Sequence, residues 1–141
     1  AVALTRALLP GMLQRGDGSI VVVSSVQGFF GQAGRSSYAA SKGAMINYFD
    51  ALRAEVASRG VGVTVVEPGY IATDHAASAL GGDGALDENS KRGMLPDVLA
   101  AHIADGVASG AAELLISQPS GRVAVLLRAL WPAALFRALR R

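Results

Sequence analysis

The sequence predicts an α/β protein: a parallel sheet of about three strands covered by helices on both faces. Short, nearly all-apolar runs stand at 19–25, 61–66 and 113–116, the composition of strands buried on both sides. Between them lie longer stretches whose apolar residues recur at the helical period. Strand, helix, strand, helix, strand, punctuated by Gly and Pro, is the order of a parallel sheet.

Each element has its own reason. Residues 1–15 form a helix through Val2, Leu4, Leu8, Leu9, Met12 and Leu13, with Pro10-Gly11 as a local irregularity. Gly16-Asp17-Gly18 turns into the first strand, 19–25. Gly28 to Gly34 is a glycine-rich loop carrying Phe29 and Phe30. A long helix at 36–59 places Met45, Ile46, Phe49, Leu52 and Val56 on one face and stops at Gly60, a natural C-cap. Val61 to Val66 is the second strand, halted by Pro68-Gly69. Residues 74–95 lack a period and read as a mobile excursion over the strand ends. A helix at 96–109, a strand at 113–116 and a basic, apolar-rich helix at 121–140 complete the order.

Composition sets the bounds. The chain has 141 residues, 51% of them hydrophobic and 17% charged, which is a packed globular piece of one domain. It opens at Ala1, without Met and inside a helical pattern, and reads as the C-terminal part of a longer protein. There is no cysteine, so disulfides and thiolate zinc sites are excluded, and a cytoplasmic location is the expectation. Residues 1–121 carry eight Lys/Arg against eleven acids, whereas 122–141 carry five Arg and no acid. The basic balance therefore belongs to the tail, and no nucleic-acid-binding face is expected. No uninterrupted apolar run is long enough to cross a membrane.

The chemistry concentrates at Tyr38-Ala39-Ala40-Ser41-Lys42. Residues four apart share a helix face, so Lys42 sets an ammonium beside the Tyr38 phenol. A neighbouring positive charge favours the phenolate and suits Tyr38 to general acid/base work. Ser25 ends the first strand, and ligands of open α/β sheets bind at the carboxyl ends of strands. The three residues suggest proton transfer to or from an oxygen that a serine holds. With three Tyr and two Lys in the chain, about 0.04 matches to Tyr-x-x-x-Lys arise by chance.

These residues resemble the short-chain dehydrogenase/reductase family over nearly the whole chain. The likeness rests on Ile20 to Ser25, on Tyr38-Ala39-Ala40-Ser41-Lys42-Gly43-Ala44, and on Glu67-Pro68-Gly69-Tyr70-Ile71-Ala72-Thr73. Ser25 precedes Tyr38 by the spacing of the family's catalytic serine. Tyr48 to Glu55 and the Arg-rich end are similar to the steroid- and retinol-dehydrogenase-like branch.

The resemblance implies a Rossmann-like, doubly wound parallel sheet of which 1–141 is the C-terminal half. It also implies an oxidoreductase that moves hydride between NAD(P)(H), with NADP slightly favoured, and a hydroxyl/carbonyl pair, without metal. Ser25, Tyr38 and Lys42 become the catalytic residues. Tyr38, Lys42, Pro68, Gly69, Ile71 and Thr73 would contact the cofactor. The glycine-rich phosphate turn and the catalytic Asn of the family are missing from this sequence, and Asn47 is no substitute. The 141 residues alone are therefore expected to be inactive.

Substrate choice falls to Ser25, Phe29, Phe30 and Tyr70 with residues 70–95, whose Leu80 and Leu86 add to an apolar set. A lipophilic alcohol or ketone is the expected substrate. Gly81-Gly82-Asp83-Gly84 lends flexibility to a lid. His75 and His102 stand far apart in sequence with no Cys partners, so no metal site is expected. Small residues on the long helix, among them Ala39, Ala40, Gly43 and Ala44, allow close packing, and the family implies a homo-oligomer.

Two readings of 121–141 stay open, with Leu126, Leu127, Leu130, Trp131, Leu135, Phe136 and Leu139 as its apolar face. One is a packed cap. The other is an interfacial helix on an anionic membrane, which would add membrane association to the cytoplasmic location. Two other functions are compatible with parts of the pattern. A catalytically silent, NAD(P)-sensing scaffold is opposed by Ser25, Tyr38 and Lys42 occurring together. A serine hydrolase lacks the Gly-x-Ser-x-Gly elbow.

Overall fold

The computed structural model describes residues 1–73 and 92–140. Helix α1 (Val2–Arg15) leads into strand β1 (Gly18–Val23), a 3-10 turn (Val26–Gly28) and helix α2 (Ser36–Val56). Strand β2 (Val61–Pro68), helix α3 (Pro96–Ala108), strand β3 (Glu113–Ile116) and helices α4 (Pro119–Leu130) and α5 (Pro132–Ala138) follow. The strands form one parallel sheet in the order β1-β2-β3.

Alternation along the strands sorts their side chains. Ile20, Val22, Val61, Val63 and Val65 face Phe49, Leu52 and Val56 of α2, with Leu9, Met12 and Leu13 of α1 packed against them. Phe49 and Val65 are fully excluded from solvent, and truncating Phe49 to Ala costs about 3–5 kcal/mol. On the opposite face Val66 pairs with Leu114. Helix α3 lies so close over Leu114 that a Cβ on Gly106 would press into its side chain. Helices thus flank both faces of the sheet. On the α3 side of the edge strand β1, Val21 and Val23 remain 40% and 46% exposed.

Arg53 ties the layers together. Its guanidinium donates to the carbonyl oxygens of Val63 (2.9 Å) and Ala112 (2.7 Å) and pairs with Asp50 (2.8 Å). Gly60 ends the crossover from β1 to β2 in the left-handed region, with φ of 73°, and a Cβ there would collide with the carbonyl oxygen of Gly16.

Several boundaries differ from the sequence reading, among them that of β2, which runs on through Pro68. The first strand ends at Val23, so Ser25 stands beyond it as the N-cap of the 3-10 turn. The helix expected to 59 is α-helical to Val56 and closes in a 3-10 turn, Ala57–Arg59. The single tail helix is two: Pro132 has no N–H and forces Trp131 out of the helical region, to φ −147° and ψ 69°. The apolar period runs straight across this break, which is why the sequence suggested one helix.

The tail divides its apolar residues between two sides. Leu135 is 3% exposed and packs with Val26 and Phe30, and Leu127 and Leu139 join that cluster. Val123, Leu126, Leu130, Trp131 and Phe136 face outward. Among the described residues no helix is long and apolar enough to cross a membrane. The expectations placed on His75, Leu80, Gly81 to Gly84 and Leu86 lie outside the described residues.

Candidate active site

The C-terminal ends of β1 and β2 meet the first turns of α2. The ladder continues one residue past β1, with the Ser24 N–H donating to the Val66 carbonyl oxygen at 2.7 Å. Ser24 is buried, and its hydroxyl donates to the carbonyl oxygen of Lys42 at 2.9 Å, fastening the strand end to α2. Ser25 has extended backbone, φ −169° and ψ 155°, and its Oγ accepts the Gln27 N–H at 3.2 Å. The same hydroxyl can donate to the Pro68 carbonyl oxygen only across 3.5 Å, the outer limit of a hydrogen bond. Its proton is thus weakly engaged and available to an incoming oxygen.

Tyr38 and Lys42 occupy successive turns at the start of α2. The Lys42 Nζ lies 5.6 Å from the centroid of the Tyr38 ring and donates to the Val23 carbonyl oxygen at 3.1 Å. Burial lowers the Lys42 pKa from the ordinary lysine value. Two glycines let the Ser25 turn sit this close to the helix. A Cβ on Gly28 would meet Ile46 and, at 3.1 Å, the Lys42 backbone; one on Gly43 would stand 3.0 Å from the Gly28 carbonyl oxygen.

Past β2 the backbone is held on several sides. The Gly69 N–H donates to the Ile116 carbonyl oxygen at 2.9 Å. The Tyr70 N–H donates to Oε1 of Gln118 at 3.1 Å, and Nε2 of Gln118 donates back to the Tyr70 carbonyl oxygen at 2.9 Å. Ile71 pairs with Met94 in an isolated parallel bridge.

A cavity of about 720 Å³ opens between these segments and the tail. Ser25, Tyr38 and Lys42 line it together with Pro68, Gly69 and Tyr70, and Ile71, Thr73 and Phe30 extend the same wall. Leu127, Leu135 and Leu139 of the tail close the far side. Phe29 is not in this wall; it packs between the sheet core and the tail cluster.

The family model described as short chain dehydrogenase matches residues 1–82, more than half of the chain. The chain belongs to the short-chain dehydrogenase family. Its relatives in that family include the zebrafish (Danio rerio) dehydrogenase/reductase SDR family member 7B, 44% identical over 98% of this chain and 46% of that protein. The Drosophila melanogaster dehydrogenase/reductase SDR family protein 7-like is 43% identical over 96% of this chain and 43% of its own length. The chain therefore spans about half the length of these relatives.

Solved short-chain dehydrogenases share the fold. A Burkholderia cenocepacia short chain dehydrogenase in complex with NADP matches with a TM-score of 0.79 at 21% identity, covering 99% of this chain and 54% of that one. A short-chain dehydrogenase from Streptomyces avermitilis matches at 0.69 and 30% identity, over 96% and 53%.

Four polar residues in or beside this cavity carry no assigned role in the sequence reading. Gln27 and Ser117 are buried in the cavity wall, and neither Oε1 of Gln27 nor Oγ of Ser117 has a hydrogen-bond partner among the described residues. Gln118 grips Tyr70. Glu67 is fully buried, and its carboxyl pKa is raised to about 8, by desolvation first and then by Glu113 and Asp50, against Arg53. Gln118 and Glu67 carried a readable signal: each is polar and sits at the end of an apolar strand.

Proposed function

We propose that this chain supplies the reactive half of an oxidoreductase that interconverts a hydroxyl and a carbonyl on a lipophilic substrate, with NAD(P)(H) as the hydride carrier. The observation that carries the reading is the meeting of Ser25, Tyr38 and Lys42 in one cavity with Pro68 and Gly69. The cofactor, when bound, supplies or takes the hydride. Tyr38 gives its phenolic proton to the carbonyl oxygen in reduction and takes the alcohol proton in oxidation. Ser25 donates a hydrogen bond to that oxygen, where charge develops. Lys42 holds a cation beside the phenol and keeps donors for the nicotinamide ribose.

The residues present suit the nicotinamide end of such a cofactor. Pro68, Gly69, Ile71 and Thr73 run along one edge of the cavity wall, beside Tyr38 and Lys42. NADP is preferred over NAD in this reading; the Burkholderia relative in fold is the one in complex with NADP. The chemistry needs no metal. Phe30, Tyr70, Leu127, Leu135 and Leu139 favour an apolar substrate body. The intact protein self-associates and is cytoplasmic, with the outward face of α4–α5 resting on membrane. The 141 residues by themselves are inactive.

The test is turnover of NADPH and NADH by the full-length protein over a panel of lipophilic and small polar carbonyls. Turnover favouring lipophilic ketones, with NADPH ahead, is the expected result. No NAD(P)H-dependent turnover would remove the enzyme reading. NADPH binding without turnover would leave the silent, cofactor-sensing scaffold in its place.

A further inference from the structure

We infer that Gln118 is a positioning residue that fixes the Gly69–Ile71 backbone at the reactive end of the cofactor. The inference rests on the oxidoreductase reading above and deepens it.

Gln118 follows β3 and caps α4, its own carbonyl oxygen accepting the N–H groups of Gly121 (3.0 Å) and Arg122 (3.3 Å). Its side chain turns back across the sheet end. There Oε1 accepts the Tyr70 N–H and Nε2 donates to the Tyr70 carbonyl oxygen. These two bonds are what another strand would give Tyr70, supplied after the β2–β3 ladder has ended at the Pro68–Ile116 pair. The Tyr70 carbonyl oxygen accepts a second bond from the Met94 N–H at 2.9 Å, and the Ala72 N–H reaches the Met94 carbonyl oxygen at 2.9 Å. Tyr70 is therefore gripped from two sides, by a side chain on one and by main chain on the other.

The grip also explains Gly69. A Cβ at that position would collide with Oε1 of Gln118 and crowd Ser117. The amide and the bare glycine require each other: the amide lies over the backbone because nothing projects from it. Only a group that both donates and accepts serves here. A primary amide does so at any ordinary pH, whereas a carboxylate only accepts and would face the Tyr70 carbonyl oxygen with a second acceptor. Small displacements of a positioned group cost rate steeply, so loosening Tyr70 weakens cofactor placement before it touches the proton chemistry of Tyr38.

The experiment uses full-length protein and NADPH. For Gln118→Ala, the NADPH dissociation constant, read by fluorescence without substrate, rises about tenfold or more, the loss of two hydrogen bonds. KM for NADPH rises more than kcat falls, and hydrogen exchange at the Tyr70 amide quickens. Gln118→Glu supplies the discriminating readout, because its protonated form donates and accepts as the amide does. Its NADPH affinity, taken as a ratio to wild type at each pH to remove every titration the two proteins share, is poor near pH 8 and recovers toward about pH 5.

A ratio that stays flat with pH, or Tyr70 exchange unchanged in Gln118→Ala, overturns the assignment. A wild type that binds no NADPH removes the oxidoreductase reading, and this role with it. A wild type that binds NADPH beside an indifferent Gln118→Glu removes this role alone.

Discussion

Lys42 donates to the carbonyl oxygen of Val23 across 3.1 Å, joining helix α2 to the last residue of β1. The bond holds the ammonium in place before any ligand arrives and leaves two of its three N–H donors for other partners. The Tyr38 ring shares the cation's neighbourhood at 5.6 Å. Strand, helix, phenol ring and cation are thereby set relative to one another.

Tyr38→Phe keeps the ring and removes the transferable proton. Turnover in the full-length protein should fall by about 10²–10⁴-fold, while NADPH affinity stays near wild type. Steady-state kinetics with a binding titration checks both, and undiminished turnover would sink the proposed acid.

Lys42→Met removes both the cation beside Tyr38 and the tie to Val23. Turnover and cofactor affinity should drop together, unlike the split expected for Tyr38→Phe. If affinity is untouched, Lys42 has no part in holding the ribose.

Glu67 sets a pH dependence of stability. Its folded pKa, about 8, lies above the ordinary 4.5, so the folded state keeps a proton that the unfolded state releases. Stability is therefore greatest below the unfolded value, declines as pH rises toward about 8, and levels off beyond it. Glu67→Gln should flatten that decline and stabilise the protein at pH about 8 by on the order of a few kcal/mol. Urea melts across that range decide it; parallel curves for the two proteins would show that Glu67 is ionised when folded.

The outward face of α4–α5 should bind anionic vesicles in preference to neutral ones. Leu130 and Trp131, 75% and 61% exposed, supply the apolar contact, and each nearby arginine adds about 1 kcal/mol at an anionic surface. Replacing both, Leu130→Asp with Trp131→Glu, should abolish co-sedimentation of the full-length protein. Equal sedimentation of both forms leaves the tail as a packed cap only.

The strands were legible because runs such as Val61 to Val66 are too apolar to lie anywhere but inside a sheet. The meeting of Ser25, Tyr38 and Lys42 was legible because helix spacing and strand ends suffice to place them. Phe29 packs against the two core clusters while Phe30 reaches the cavity, and sequence does not say which of two adjacent loop aromatics turns which way. Pro132 was visible, yet the leucine period across it is strong enough to suggest continuity. The grip of Gln118 on Tyr70 joins residues far apart in the chain, and no local pattern reports such a bond. The state of Glu67 depends on Glu113, Asp50 and Arg53, which only the folded chain gathers around it.

The 3-10 turn after β1 carries Ser25 at its head and Val26, Gln27 and, just beyond, Phe30 in the cavity wall. Recutting that wall would therefore disturb the Ser25 hydroxyl as well, because one short turn sets both. Leu127, Leu135 and Leu139 reach the same cavity from a separate stretch of chain. They pack on Val26 and Phe30, so changes there reach the Ser25 turn through side chains and leave its backbone sequence intact. Diversification among related enzymes should accordingly be richer in the tail than in the turn.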